Sequence, residues 1–279
     1  MPLLKQILPA VIIAMMVAAG VCSLALLSGK ESARRALGPL AVGLGYCIGH
    51  LVVTGWVTFP PTDTTNWLPY FALIAAALGA TWEWGRWSLG IRGLLLAMVT
   101  AGALRLLLQP KFKYGWSLGQ GWLWLAGLAV AIVFLAVVVH LLAQRASRSI
   151  ELPACLLIVC AGTVGAQMLS GSILLGQLAT VLGAAIFGTL VLTIRRIPLS
   201  QGMAPIFSLL LGALLISGYF FASLPATSAA LLIVAPVLAL IPAGKPGTFW
   251  TFVVRAALVS LPVAAAVILA FRSSPPLDY

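Results

Sequence analysis

Continuous apolar runs of about twenty residues, separated by short polar or basic interruptions, recur from one end of the chain to the other. A helix of that length matches the ~30 Å hydrocarbon thickness of a bilayer. The runs predict ten transmembrane helices, over about 7–27, 40–58, 67–84, 91–108, 118–143, 152–170, 172–194, 203–221, 228–243 and 249–271. A transmembrane barrel would alternate apolar and polar residues over about ten positions, and these runs do not alternate. Pro9, Pro39, Pro69, Pro153 and Pro205 fall at or near the expected starts, where a missing N–H is not needed by the helix. Only Ser170, Gly171 and Ser172 separate the sixth and seventh runs, which reads as a tight helical hairpin, with a re-entrant segment as the alternative.

The fold class expected is therefore all-α: a polytopic helical bundle forming a single integral membrane domain over 1–279. Stretches beginning at Leu8, "LPAVIIAMMVAAGVCSLALLSG", and at Leu152, "LPACLLIVCAGTVGAQMLSG", begin and end alike. If they mark a duplication, halves 1–149 and 150–279 hold five spans each, and an odd number inverts the second half against the first.

Composition places the chain outside the range of soluble domains, with 62% hydrophobic and 8% charged residues and a mean hydropathy of +1.13. The first run exceeds the usual length of a secretion-signal core, and Val21 stands where a lipoprotein cleavage site wants a small residue. It is expected to be retained. Lys30, Arg34 and Arg35 follow it while only Lys5 precedes it, so the positive-inside rule puts the first loop in the cytoplasm. Both termini then lie outside the cytoplasmic membrane. The same topology sends Arg86, Arg92, Arg145, Arg148, Arg195, Arg196 and Lys245 to the cytoplasmic side. The exception is "QPKFKYGW", which leaves Lys111 and Lys113 external. The net charge of +11, divided among short loops, suits contact with anionic lipids and not a nucleic-acid surface.

Candidate chemistry is sparse. "VTFPPTDTTNWLPYF" at Val57 becomes an external loop, with Trp56 and Trp67 as interface anchors and Asn66 as a cap for the third helix. Asp63 and Asn66 would form either a stiff turn or a vestibule for a cation or polar solute. In "TWEWGRW", Glu83 and Arg86 are spaced to pair, with Trp82, Trp84 and Trp87 at headgroup level. Ionisable groups within apolar spans mark functional sites, because keeping them there is costly. His50 is the leading candidate, one turn from Tyr46, with the small residues Ala41, Gly45 and Gly49 beside it. It serves either a proton or ligand site or a hydrogen bond across a closely packed helix pair. His140 and Arg105 lie near span ends and can snorkel. Arg255 is deeper, facing either the interface or the bundle interior.

On the seventh span Ser172, Gly176, Thr180, Ala184 and Gly188 form a small-residue packing stripe, flanked by Gln167 and Gln177. Pro236 and Pro262 lie inside the last two spans, and broken helices near the midplane often build carrier sites. The His-Glu-x-x-His, phosphate-loop and Cys-x-x-Cys patterns do not occur, and the one Gly-x-Ser-x-Gly string, Gly115 to Gly119, opens an apolar helical run with no strand before it and so is no nucleophile elbow. Cys22, Cys47, Cys155 and Cys160 read as small hydrophobes. With two histidines and five carboxylates, a metal or haem centre would need an unusual ligand set, and no cofactor is expected. Three function classes remain. A small-solute carrier leads, with a pocket among spans two, seven, nine and ten. A non-catalytic subunit of a larger membrane complex, bound to a partner protein or a second copy, follows. An intramembrane enzyme acting on lipid is third.

Overall fold

The computed structural model describes residues 2–27, 31–56, 58–61, 63–85, 87–146, 148–191, 201–242 and 249–273. Lys30, Arg86, Arg195, Arg196 and Lys245 lie outside them. Eleven helices carry the described chain: α1 (Pro2–Leu27), α2 (Glu31–Thr54), α3 (Leu68–Trp84), α4 (Leu89–Leu107), the short α5 (Gln109–Tyr114), α6 (Leu118–Arg145), α7 (Glu151–Leu169), α8 (Ile173–Gly188), α9 (Met203–Phe221), α10 (Ala226–Leu238) and α11 (Phe249–Ser273). Seven of these are long and apolar enough to cross a membrane: α1, α2, α4, α6, α7, α9 and α11. α3, α8 and α10 have 17, 16 and 13 residues.

Several ends differ from the expected spans. α2 begins nine residues before its apolar run (31 against 40), because hydropathy marks hydrocarbon depth and not helix length. Pro9 and Pro39 consequently lie inside helices, whereas Pro69, Pro153 and Pro205 do sit in first turns. α10 stops two residues after Pro236, and the chain continues in i→i+3 turns, with Leu240 N–H bonded to Val237 O at 2.9 Å. Proline removes one backbone donor and crowds the preceding turn, which makes this the natural end. Pro262, by contrast, is accommodated within α11. The link between α7 and α8 is a tight hairpin. Gly171 takes φ +85 there, a backbone region that side chains with a Cβ avoid, and the Ser172 hydroxyl accepts from Leu175 N–H at the start of α8.

Successive helices, the short α5 aside, run antiparallel. One face of the bundle, here the basic face, carries the starts of α2, α4, α7, α9 and α11 with Arg34, Arg35, Arg92, Arg145 and Arg148. Contacts across that face include Arg145 to the Leu240 carbonyl at 3.2 Å. On the far face, Ser223 N–H reaches the Ser170 carbonyl at 3.3 Å. α9 is the central helix. Every residue from Met203 to Gly218 is buried, as an all-round apolar helix requires, and it packs against α3, α6 and α8. α11 is peripheral, with 17% of its span buried against 83% for α9. α7 lies between α8 and α11, whereas α1 lies on α2 and α8, so the two segments with similar sequence ends have different surroundings.

Candidate functional site

α2 meets the bundle along two arcs. Gly43 faces α3 and α9, where an added Cβ would stand 3.1 Å from the Ala72 carbonyl and 3.2 Å from Ile206. Gly45 and Gly49 face α1 and α8: a Cβ at Gly45 would come to 2.7 Å from Ala14 O, and one at Gly49 to 2.6 Å from Val181. At 100° per residue, Tyr46 and His50 fall on the wheel between these arcs. Both are fully buried, with ring centroids 5.9 Å apart and planes tilted by 49°. The Tyr46 hydroxyl and both His50 ring nitrogens have no hydrogen-bonding partner among the described residues. Three orphaned polar atoms on one helix turn are unusual, because each costs about 1–3 kcal/mol when left unpaired in an apolar interior.

A second polar point joins α7 to α9. Gln167 donates its Nε2 to the Leu214 carbonyl at 2.8 Å, and its amide lies against Gly218, where any Cβ would collide with it. Gln167 Oε1 and the buried Ser217 hydroxyl lack partners among the described residues. Gln177 is buried on α8, one turn from its start. The stripe Ser172, Gly176, Thr180, Ala184, Gly188 serves two neighbours, since a step of four residues turns the face by about 40°. A Cβ at Gly176 would meet Met168 of α7 at 2.5 Å, and one at Gly188 would meet Met15 O of α1 at 2.5 Å. Thr180 bonds back to the Gly176 carbonyl at 2.8 Å, and Ala184 is buried.

Arg255 takes the inward alternative. Its guanidinium pairs with Glu151 Oε2 at 2.6 Å, with the side chains 11% and 3% exposed. This pair ties α11 to the first residue of α7 at the basic face, while His50 lies one turn from the far-face end of α2. His50 and Arg255 thus belong to opposite ends of the bundle, not to one pocket. Glu151 had no signal as a partner, since it precedes an apolar run like many helix-starting carboxylates.

A further polar cluster lies at the basic face. Arg92 donates to the carbonyls of Trp82 at 3.0 Å and Gly85 at 3.2 Å, closing the end of α3, and to Gln201 Oε1 at 3.3 Å. Glu83 accepts from Gly202 N–H at 2.8 Å; its expected partner Arg86 is outside the described residues. Trp84 and Trp87 are exposed as interface anchors would be, but Trp82 is buried edge-on against His140. His140 does not snorkel. It is buried, with Nε2 3.0 Å from the Gln144 amide, because the α6 turn that carries it faces α4 and a cavity of about 40 Å³ that Trp82 also lines.

In the far-face loop Asp63 is exposed and Asn66 half-buried. Asn66 does not cap α3: the residue before that helix is Trp67, and no side chain bonds its first turn. Asn66 instead donates its backbone N–H to the Asp63 carbonyl at 3.2 Å in a single tight turn. Trp67 leans inward and stacks on Phe71 at 6.3 Å, with Phe59 and Tyr70 around it, while Trp56 is fully outward. Cys22, Cys155 and Cys160 are buried, Cys47 is half-buried, and all four are free.

Comparison with protein-family models, curated proteins and solved structures finds no match for this chain.

Proposed function

We propose that the chain is a small-solute carrier of the cytoplasmic membrane, spanning it ten times with both termini extracytoplasmic. The observation that carries this reading is the Tyr46–His50 pair, which keeps three polar atoms buried and unpartnered at the junction of α2 with α1, α3, α8 and α9. A purely structural histidine would bond across the interface. Here the cost is offset when a polar solute reaches the pair in another conformation, as in carriers that bind between broken and tightly packed helices. The rival reading, a subunit docked through its small-residue stripes, loses support because Gly45, Gly49, Gly176 and Gly188 face neighbouring helices of this same chain.

His50→Leu separates the two roles. Removing an unsatisfied buried polar group should raise stability in detergent by about 1–3 kcal/mol, while a solute that stabilises the wild-type protein in a thermal-shift screen of amino acids, sugars and small ions loses its effect. A less stable His50→Leu protein, or solute stabilisation equal in both proteins, would rule out this site.

The topology has its own test. Asp63→Cys in intact cells should react with a membrane-impermeant maleimide, whereas Arg148→Cys should react only after the cells are permeabilised. The reverse pattern turns the proposed orientation over.

A further inference from the structure

A cleft of about 440 Å³ lies between α3 and α4, floored by Phe71, Ala103 and Leu209. Its volume lies within the range of about 300–1,000 Å³ typical of small-molecule sites. Ile74, Met98 and Leu106 form exposed apolar rims. From Met98 to Arg105 the cleft runs seven residues of α4, about 10 Å. Among the described residues one charged group lines it: Arg105, two residues before the end of α4.

The fold holds that arginine by one ring alone. Its guanidinium lies 4.3 Å from the centre of the Phe112 ring and makes no hydrogen bond or ion pair with a described residue. Lys111 and Lys113 follow on α5, held over the rings of Phe221 and Tyr114 and likewise without an ion pair. Arg105 therefore stands at the far-face end of an apolar cleft, and Lys111 and Lys113 lie on the next helix at that face, opposite the one that carries Arg34, Arg35, Arg92, Arg145 and Arg148. Topology control does not call for them there.

We propose that this cleft is a site for one anionic phospholipid of the far-face leaflet, with an acyl chain between α3 and α4 and its phosphate against Arg105. The five donors of a guanidinium match phosphate oxygens, and Lys111 and Lys113 add the field that favours a net anionic headgroup over a zwitterionic one. Gly102 fixes where the chain lies, since a Cβ built there meets nothing within 4 Å and a larger side chain would enter the cleft without disturbing the bundle.

The test uses the full chain, purified in detergent and titrated with phosphatidylglycerol or phosphatidylcholine under native mass spectrometry. The first phosphatidylglycerol should bind more tightly than phosphatidylcholine. Arg105→Gln should weaken it by about fivefold, the effect of one basic residue near a membrane surface. Gly102→Leu should weaken it by about tenfold through lost chain burial, while Gly90→Leu, also facing open space on α4 but outside the cleft, leaves it unchanged. Equal retention of the two lipids would show that charge is not read. Wild-type binding by Gly102→Leu would show that the cleft is not occupied. Either result overturns the proposal.

Discussion

Arg255→Leu should destabilise the bundle by about 3–5 kcal/mol, because it takes from the Glu151 carboxylate, only 3% exposed, the guanidinium held 2.6 Å from it. Glu151→Leu should also be destabilising, since it leaves the half-buried Arg255 guanidinium without that counter-charge. The double variant Glu151→Leu with Arg255→Leu should recover most of the loss: a buried pair replaced by apolar groups of similar size is often neutral. Equilibrium unfolding in mixed micelles of the four proteins gives the coupling energy as a cycle. A surface pair would yield less than about 1 kcal/mol. Additive losses in the cycle would mean that each residue acts through other contacts and that the 2.6 Å pair does not join α7 to α11.

The reach of the sequence pattern explains why that pair was not foreseen. Glu151 and Arg255 are 104 positions apart, and each sits where span ends routinely carry charge, so nothing local joins them. Trp82 and His140 are alike in this respect. Both look like interface residues because they are a turn from a span end, yet the faces they occupy are set by the order of helices around α9. Local signals did better. Each expected apolar run contains a helix, and the Ser170–Ser172 link is a hairpin. The small-residue steps on α2 and α8 do lie where backbones approach, because a period near four residues is a property of one helix alone. Which helix approaches was not legible. The α8 stripe contacts α7 at Gly176 and α1 at Gly188, a consequence of the 40° drift per step acting on a packing order that only the folded chain defines.

A glycine-to-alanine series should therefore split by sign. Gly45→Ala and Gly188→Ala each place a methyl group against the α1 backbone, 2.7 Å from Ala14 O and 2.5 Å from Met15 O respectively. Carbonyl oxygens of a helix cannot rotate aside as a side-chain tip can, so α1 must shift away from α2 or α8, at a cost of about 1–3 kcal/mol for each substitution. Gly90→Ala and Gly93→Ala meet nothing within 4 Å and should be neutral or raise stability by up to about 1 kcal/mol, the usual gain when a helical glycine acquires a Cβ. Thermal melts of the four variants in one detergent are enough to read the split. The pairing also separates helix contact from composition, since all four substitutions are chemically identical and lie in apolar helices. Uniform small gains would mean that α1 does not pack on α2 and α8 as described, and would return the small-residue faces of α2 and α8 to the surface as docking sites for another membrane protein.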